Sequence, residues 1–336
     1  GQSSDVLLTL AKQTGADVLA YGQLLDPVEI QIETKVAQTL RSAGVSLQAF
    51  GGQLLAHPDS IKNGSGQPYK VFTPFWRKLS QTLRVSNPVL APTQVRAPSR
   101  WPKSESLESF SLLSSLPWER QLGSHWSMSS IGGHERLKEF AAQVSNYSVG
   151  RNQPSSDGVS RLSPYLHFGQ ISLAEIWDSL AHLPDADAYL RQLGWREFAH
   201  HLLFHFPATV ERPLSSAFEN FPWWSDNEQM LRAWSTGTTG YPLVDAGMRQ
   251  LWATGWMHNR VRMNVGSFLV KHLLGHWRLG ARWFWDTLVD ANLANNTLGW
   301  QWVAGCGADA APYFRIFNPT TQAKRFDAQG QYIKRW

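Results

Sequence analysis

Apolar positions recur at helical spacing over residues 5–14 and 28–43, while two short apolar runs, 17–21 and 45–50, read as buried strands. Strand and helix alternate, so this part is predicted to form a parallel βα sheet. It carries neither GxGxxG nor GxxxxGKS/T, which leaves a phosphate-binding role there without support. From Ser86 to Ser130 the pattern gives way to Ser and Pro, with Asn87-Pro88, Ala91-Pro92, Ala97-Pro98 and Trp101-Pro102, and a long surface linker is expected. Helical periodicity returns at about 134–144, 172–183, 185–203, 227–235, 242–254, 257–274 and 281–289. The predicted organisation is an α/β domain over 1–85, a linker over 86–130 and an all-α domain over 131–336.

Composition adds a folded chain: 336 residues at 43% hydrophobic and 17% charged can fill two cores. The excess of 31 Lys and Arg over 26 Asp and Glu gives a net charge of +5, which leans mildly toward a polyanionic partner. Seventeen Trp are more than structure needs, and indoles suit base stacking, flavin contact and electron hopping, although large cores use them too. One cysteine, Cys306, excludes an internal disulfide and any multi-cysteine metal site and fits a reducing interior. No run of 18 apolar residues and no signal-like N-terminus appears, so a soluble cytoplasmic protein without a membrane partner is expected.

Candidate chemistry sits in the helical half. His200, His201 and His205 cluster on one helix, with His201 and His205 at i, i+4. No HExxH is formed and the spacing supplies no carboxylate ligand, so histidines of the surface or core edge are expected rather than a metal site. The same helix places Gln192, Trp195 and Arg196 on one face, and helix 257–274 does so with Asn259, Arg262 and Met263. Polar groups inside an apolar helix need partners, and Asp290, read as ending the next helix, is expected to pair with Arg262. Spacing alone equally allows a purely structural ion pair. Residues 290–305, rich in Asn, Gly and Trp, depart from helical periodicity and are expected to be irregular backbone wrapped around something. Ser160-Arg161-Leu162-Ser163 starts a helical turn and offers hydroxyls, amides and a cation to an anion such as a pyrophosphate. An N-cap explains those serines almost as well.

Trp195-Arg196-Glu197-Phe198, Thr239-Gly240-Tyr241-Pro242, Trp256-Met257-His258-Asn259-Arg260 and the run from Pro312 to Pro319 resemble motifs of the DNA photolyase and cryptochrome family in order and spacing. The likeness reaches upstream through Ser160-Arg161-Leu162-Ser163 to Tyr69-Lys70-Val71-Phe72-Thr73-Pro74-Phe75, and is strongest to class I enzymes that split cyclobutane pyrimidine dimers. The resemblance implies a partial Rossmann-like α/β domain followed by an all-α FAD-binding domain. It implies a noncovalent FAD folded into a U, with Tyr147, Ser160, Leu162 and Ser163 at its phosphates and ribityl chain. Arg196, Asn259, Arg262, Asp290, Asn292 and Asn296 are then expected around the rings. Asn296 matches the position opposite flavin N5, where photolyases carry Asn and plant cryptochromes Asp. Trp300, Trp277 and Trp224 match the family's electron-transfer chain. Trp195 and Trp302 match the pair that sandwiches a flipped-out dimer, with Met263 and Asn259 at the pocket floor and Arg151, Arg260 and Arg315 on DNA phosphates.

The implied activity is light-driven electron transfer from reduced FAD that splits dimers in damaged DNA, carried out by a monomer. Gln192 departs from the Glu of dimer photolyases and is commoner in (6-4) photolyases and cryptochromes, which makes those the alternatives. Met263 points back to dimer repair, since (6-4) enzymes have a histidine there. Val159 replaces a family Thr and Asn292 an Asp, which weakens contacts without abolishing the site. A flavoprotein with no DNA role would leave Arg151, Arg315 and the paired Trp195 and Trp302 unexplained. The family's opening strand, its Arg-Asp-Leu-Arg motif and its tail helices fall outside these residues. An antenna chromophore, folate or deazaflavin, is therefore expected of the intact protein and not of this stretch.

Overall fold

Two parallel strands, β1 (Val18–Gly22) and β2 (Ser46–Phe50), pair in register from Val18 opposite Ser46 to Gly22 opposite Phe50. They belong to a computed structural model that describes residues 2–85, 92–95, 97–113, 118–224, 227–310, 312 and 315–336, apart from the side chains of Glu119 and Arg120. Helix α1 (Ser3–Thr14) precedes β1, and α2 (Pro27–Ser42) makes the crossover that parallel pairing requires. Val36, Leu40 and Val45 form a small core with Leu7, Leu8, Ala11, Leu19 and Leu47. These elements lie within two residues of their predicted bounds, because both periodicities are local properties of the chain. The strands expected to be buried are instead largely exposed: β1 alternates between exposed and partly covered residues, and in β2 only Leu47 is partly covered.

After β2 no further strand follows among the described residues, only helices, turns and the isolated bridges of Lys62 with Pro68 and Trp224 with Gly275. Helix α3 (Phe72–Thr82) buries Phe72, Phe75 and Leu79 against Phe198 and Leu202. Short α4 (Trp118–Gly123) lies inside the expected linker, where Trp118 stacks on Trp252 with ring centres 5.4 Å apart. Asn87-Pro88 and Ala91 fall outside the described residues. Next come α5 (Ser130–Ala141), α6 (Tyr147–Gly150), α7 (Ser163–His167), α8 (Leu173–Leu180) and the long α9 (Asp187–His205). The chain continues with α10 (Glu228–Thr236), α11 (Pro242–Thr254), α12 (Asn259–Ser267), α13 (Trp277–Thr287), α14 (Leu293–Ala304), α15 (Pro319–Phe326) and α16 (Gln331–Arg335). The periodicity read as one helix over 257–274 is α12 followed by a π-helical turn, Phe268–His272.

Two readings need correction. Residues 290–305 are not irregular: Asn292 caps α14 by accepting from Asn295 N at 3.0 Å, and Gly305 ends it at φ +90°. The helix packs against α9, α12 and α13, so it is buried on several sides and shows no single apolar stripe. Asp290 lies in the turn before α14 rather than at the end of a helix, since α13 closes at Thr287. The largest core gathers Trp234, Trp277, Trp300 and Tyr332, and a second surrounds Phe140, Tyr147, Leu162, Ile176 and Tyr189.

Candidate functional site

α9, α12 and α14 converge with the α13 end on a cavity of about 400 Å³. Its walls carry Arg151, Gln192, Trp195, Asn259, Arg262, Met263, Asp290, Asn292, Asn296, Trp300 and Trp302, residues singled out above from four separate stretches of chain. On α9 and α12 the spacing does this work: i, i+3 and i+4 share a face. The stripe of α14 needs its helical conformation, which alone turns Asn292, Asn296, Trp300 and Val303 to one side.

Arg262 is fixed at both ends of its guanidinium. Its Nε donates to Met257 O at 2.7 Å, and its Nη2 donates to Asp290 Oδ1 and Oδ2 at 3.1 and 2.9 Å. Ser163 Oγ donates to the same carboxylate at 2.6 Å. Ser163 therefore reaches the cavity wall through Asp290. Asn259 Nδ2 lies 3.9 Å from Met263 Sδ, and Asn296 Nδ2 donates to Ala281 O at 2.8 Å.

The aromatic residues divide into two groups. Trp300 is buried in the principal core, its ring edge-on to Phe284 at 5.0 Å and Trp234 at 6.1 Å. Gly280 makes room for it, since a Cβ there would meet Trp300 Cη2 at 2.0 Å. Trp277 shares that core, and half-buried Trp224 donates its backbone N–H to Leu274 O at 2.8 Å. Trp195 stacks on Phe72 with centres 3.7 Å apart, and Trp302 on Phe317 at 6.3 Å. Each is thus braced on one side and contributes to the cavity wall on another.

The remaining predicted residues stand back from the cavity. Tyr147 and Leu162 are buried in the second core, and Tyr189 Oη donates to Ser160 Oγ at 3.1 Å. Arg196, although neighbouring Trp195, turns away and donates to Gln53 O. Glu197 beside it accepts from Leu55 N at 2.9 Å and Ala56 N at 3.2 Å, and burial pushes its carboxyl up to about 7. His201 accepts from Tyr69 N at 3.1 Å and bonds Pro58 O at 3.1 Å, which fits a neutral ring, and burial lowers its pKa to about 4. His205 also meets Pro58 O, at 3.3 Å. One side of α9 thus holds the 53–69 segment while another lines the cavity.

Arg260 donates to Asn152 Oδ1 and lies over the Phe326 ring at 4.4 Å. Arg315 is exposed, whereas Tyr313 and Phe314 of the same motif fall outside the described residues. Burial, then the guanidiniums of Arg260, Arg262, Arg161 and Arg151, hold His258 down to about 4, a sign of the positive potential around this rim.

Sequence reasoning missed Gly266, Phe284, Leu288, Asn295, Leu298, Gly299 and Val303 as cavity residues. Phe284 and Leu288 are an i, i+4 apolar pair that looks like any core face. A Cβ on Gly299 would meet nothing within 4 Å, so glycine there keeps the cavity wall low. A fixed cation with its carboxylate, four Asn amides and indole walls suit a flat heterocycle with carbonyl and N–H edges, such as a flavin. The residues present therefore fit that group.

Known proteins agree with this picture. The family model described as the FAD binding domain of DNA photolyase matches residues 189–336, and the one described as DNA photolyase matches residues 1–98. The deoxyribodipyrimidine photo-lyase of Agrobacterium fabrum is 43% identical over all of this chain and 72% of its own length. Cryptochrome-2 of Arabidopsis thaliana is 36% identical over 98% of this chain and 57% of its own. A solved bacterial class III photolyase from Agrobacterium tumefaciens superposes with a TM-score of 0.96 at 43% identity, covering all of this chain and 71% of that one. With an N-terminal photolyase domain, a helical FAD-binding domain and relatives of both kinds, this chain belongs to the DNA photolyase and cryptochrome family.

Proposed function

We propose that this chain is a deoxyribodipyrimidine photo-lyase: it binds FAD and uses light to split cyclobutane pyrimidine dimers in DNA. The observation that carries the reading is one cavity shared by Trp195, Trp302 and Met263 on one hand and Arg262, Asp290 and Asn296 on the other. A lesion and a flavin would then meet in a single space. When bound, reduced FAD supplies the electron that opens the dimer after absorbing light.

The protein's own groups bind, orient and shield. Arg262, held by Asp290, offers a fixed cation to an anionic cofactor, with Asn259, Asn292 and Asn296 on its ring edges; Arg196, although assigned to the rings from the sequence, turns away to Gln53 O. Tyr147, Ser160, Leu162 and Ser163 are assigned to its phosphate and ribityl side. Trp300, Trp277 and Trp224 are assigned to electron supply from the surface. A dimer sits inside the base stack, so it has to be flipped out, and Trp195 and Trp302 would stack on it while Gln192 meets its edge. Arg151, Arg260 and Arg315 would hold phosphates and make binding salt-sensitive.

In the same reading, residues 1–85 are part of a Rossmann-like α/β domain, 86–130 a linker and 131–336 the catalytic domain. The protein is a cytoplasmic monomer, and no described helix is long and apolar enough to cross a membrane. The motifs resemble class I enzymes, while the class III relative at a TM-score of 0.96 supports class III.

The rival reading is a cryptochrome-type photoreceptor, favoured by Gln192 and by relatives such as Cryptochrome-2. The decisive assay illuminates the FAD-loaded, reduced chain with oligonucleotides carrying cyclobutane dimers or (6-4) products and measures restored thymines. Restored dimers support the reading, and a folded, reduced protein that restores none overturns it.

A further inference from the structure

Gln192 has a partner that its helix does not supply. Arg151 Nη2 donates to Gln192 Oε1 at 3.3 Å, and both side chains line the cavity. A guanidinium carries five N–H donors and no acceptor, so the amide atom that faces it has to be the oxygen. The amide nitrogen turns toward Ala188 O, one turn back on α9, at 3.4 Å. That leaves one amide N–H for a ligand. Arg151 is itself braced, with its guanidinium carbon 5.3 Å from the centre of the buried Tyr147 ring. Among the described residues no carboxylate forms an ion pair with it.

We propose that Arg151 is the positioning residue for Gln192, so that one guanidinium couples the grip on a DNA phosphate to the reading of the flipped base. The proposal rests on the repair function above. Phosphate contacts fix register and carry no base information of their own. An arginine that only gripped a phosphate would support damaged and undamaged duplex alike. Arg151 differs because one of its donors orients the amide that meets the lesion, while its other N–H groups stay available to phosphate.

The test is a double-mutant cycle on the FAD-loaded, reduced chain in the dark, with Arg151→Ala, Gln192→Ala and the two combined. Affinity is measured over a range of salt for a duplex with one dimer and for the same duplex undamaged. Arg151→Ala is expected to lower the salt slope on both duplexes by about 0.9. It is also expected to reduce the damaged-to-undamaged ratio by roughly threefold to tenfold, the loss of one oriented hydrogen bond. The double variant should show the ratio of Gln192→Ala alone, because the two losses are one. Arg151→Lys should keep the slope, because the charge stays, and lose the ratio, because an ammonium lacks the planar fork that orients the amide. A ratio unchanged by Arg151→Ala, or losses that simply multiply in the double variant, would overturn the coupling. A parent chain that neither prefers the damaged duplex nor splits dimers in light would instead overturn the repair function itself. Circular dichroism and bound-flavin absorbance report folding of each variant. Should Arg151→Ala fail to fold, Arg151→Lys decides alone, and an unchanged ratio there sinks the proposal.

Discussion

Arg262 Nη2 lies 3.1 and 2.9 Å from the two carboxylate oxygens of Asp290, whose side chain is 4% exposed against 25% for the arginine. Ser163 Oγ closes the carboxylate from a third direction at 2.6 Å. One carboxylate thus ties α7, α12 and the turn before α14 together beside the cavity, and it holds a cation where an anionic flavin would want one.

Removing the carboxylate should be costly. Asp290→Ala strands a largely buried guanidinium, a loss of about 3 kcal/mol at the low end for broken buried pairs because Arg262 keeps some solvent. We expect a lower thermal midpoint and little FAD retained per chain by absorbance, with Asp290→Asn intermediate. Full flavin occupancy in Asp290→Ala would remove this pair from the cofactor site.

Gly280 is there for Trp300. Gly280→Ala puts a methyl 2.0 Å from Trp300 Cη2, so the indole has to move, at about 1–3 kcal/mol for overpacking. Thermal denaturation should show the loss, and adding Trp300→Phe should recover part of it. No recovery would mean that the strain is taken up elsewhere.

Trp277 separates electron supply from repair. Trp277→Phe should slow photoreduction of oxidised flavin while a chemically pre-reduced protein still restores thymines in light. Equal photoreduction in variant and parent, followed by transient absorption, would refute its place in the chain to Trp300.

Acid stability follows from buried rings. Burial holds His200 near 3 and His201 and His258 near 4, all below the usual 6.5. Each folded pKa is depressed, so the unfolded chain binds more protons and stability falls as pH drops from about 6.5 toward 4. Glu197, raised to about 7 by burial, acts oppositely and loses stability as pH rises from its unfolded value toward 7. Asp26, raised to about 6 by burial and by Glu29, acts the same way as Glu197, and the three histidines outweigh these two carboxyls, so the thermal midpoint should decline below pH 6.5. Glu197→Gln should steepen that decline by removing one opposing group. A flat profile in the parent between pH 4.5 and 6.5 would contradict it.

The local pattern settled the strand-helix alternation of residues 5–50 and most helices beyond 130, because backbone period and capping depend on neighbours only a few residues away. It also put Gln192 with Trp195, and Asn259 with Arg262 and Met263, on shared faces. It failed on α14, since this helix packs against α9, α12 and α13 and turns its Asn residues to the cavity, which leaves no contiguous apolar stripe for a period to reveal. It could not say which way Arg196 turns, because Gln53 stands 143 residues away, nor that His201 would meet Pro58 across the same separation. The contact of Arg151 with Gln192, 41 residues apart, was equally silent. Sequence thus determined which chemical groups share a helix face. Only tertiary packing decided which faces meet, because burial and long-range hydrogen bonds are properties of the assembled chain.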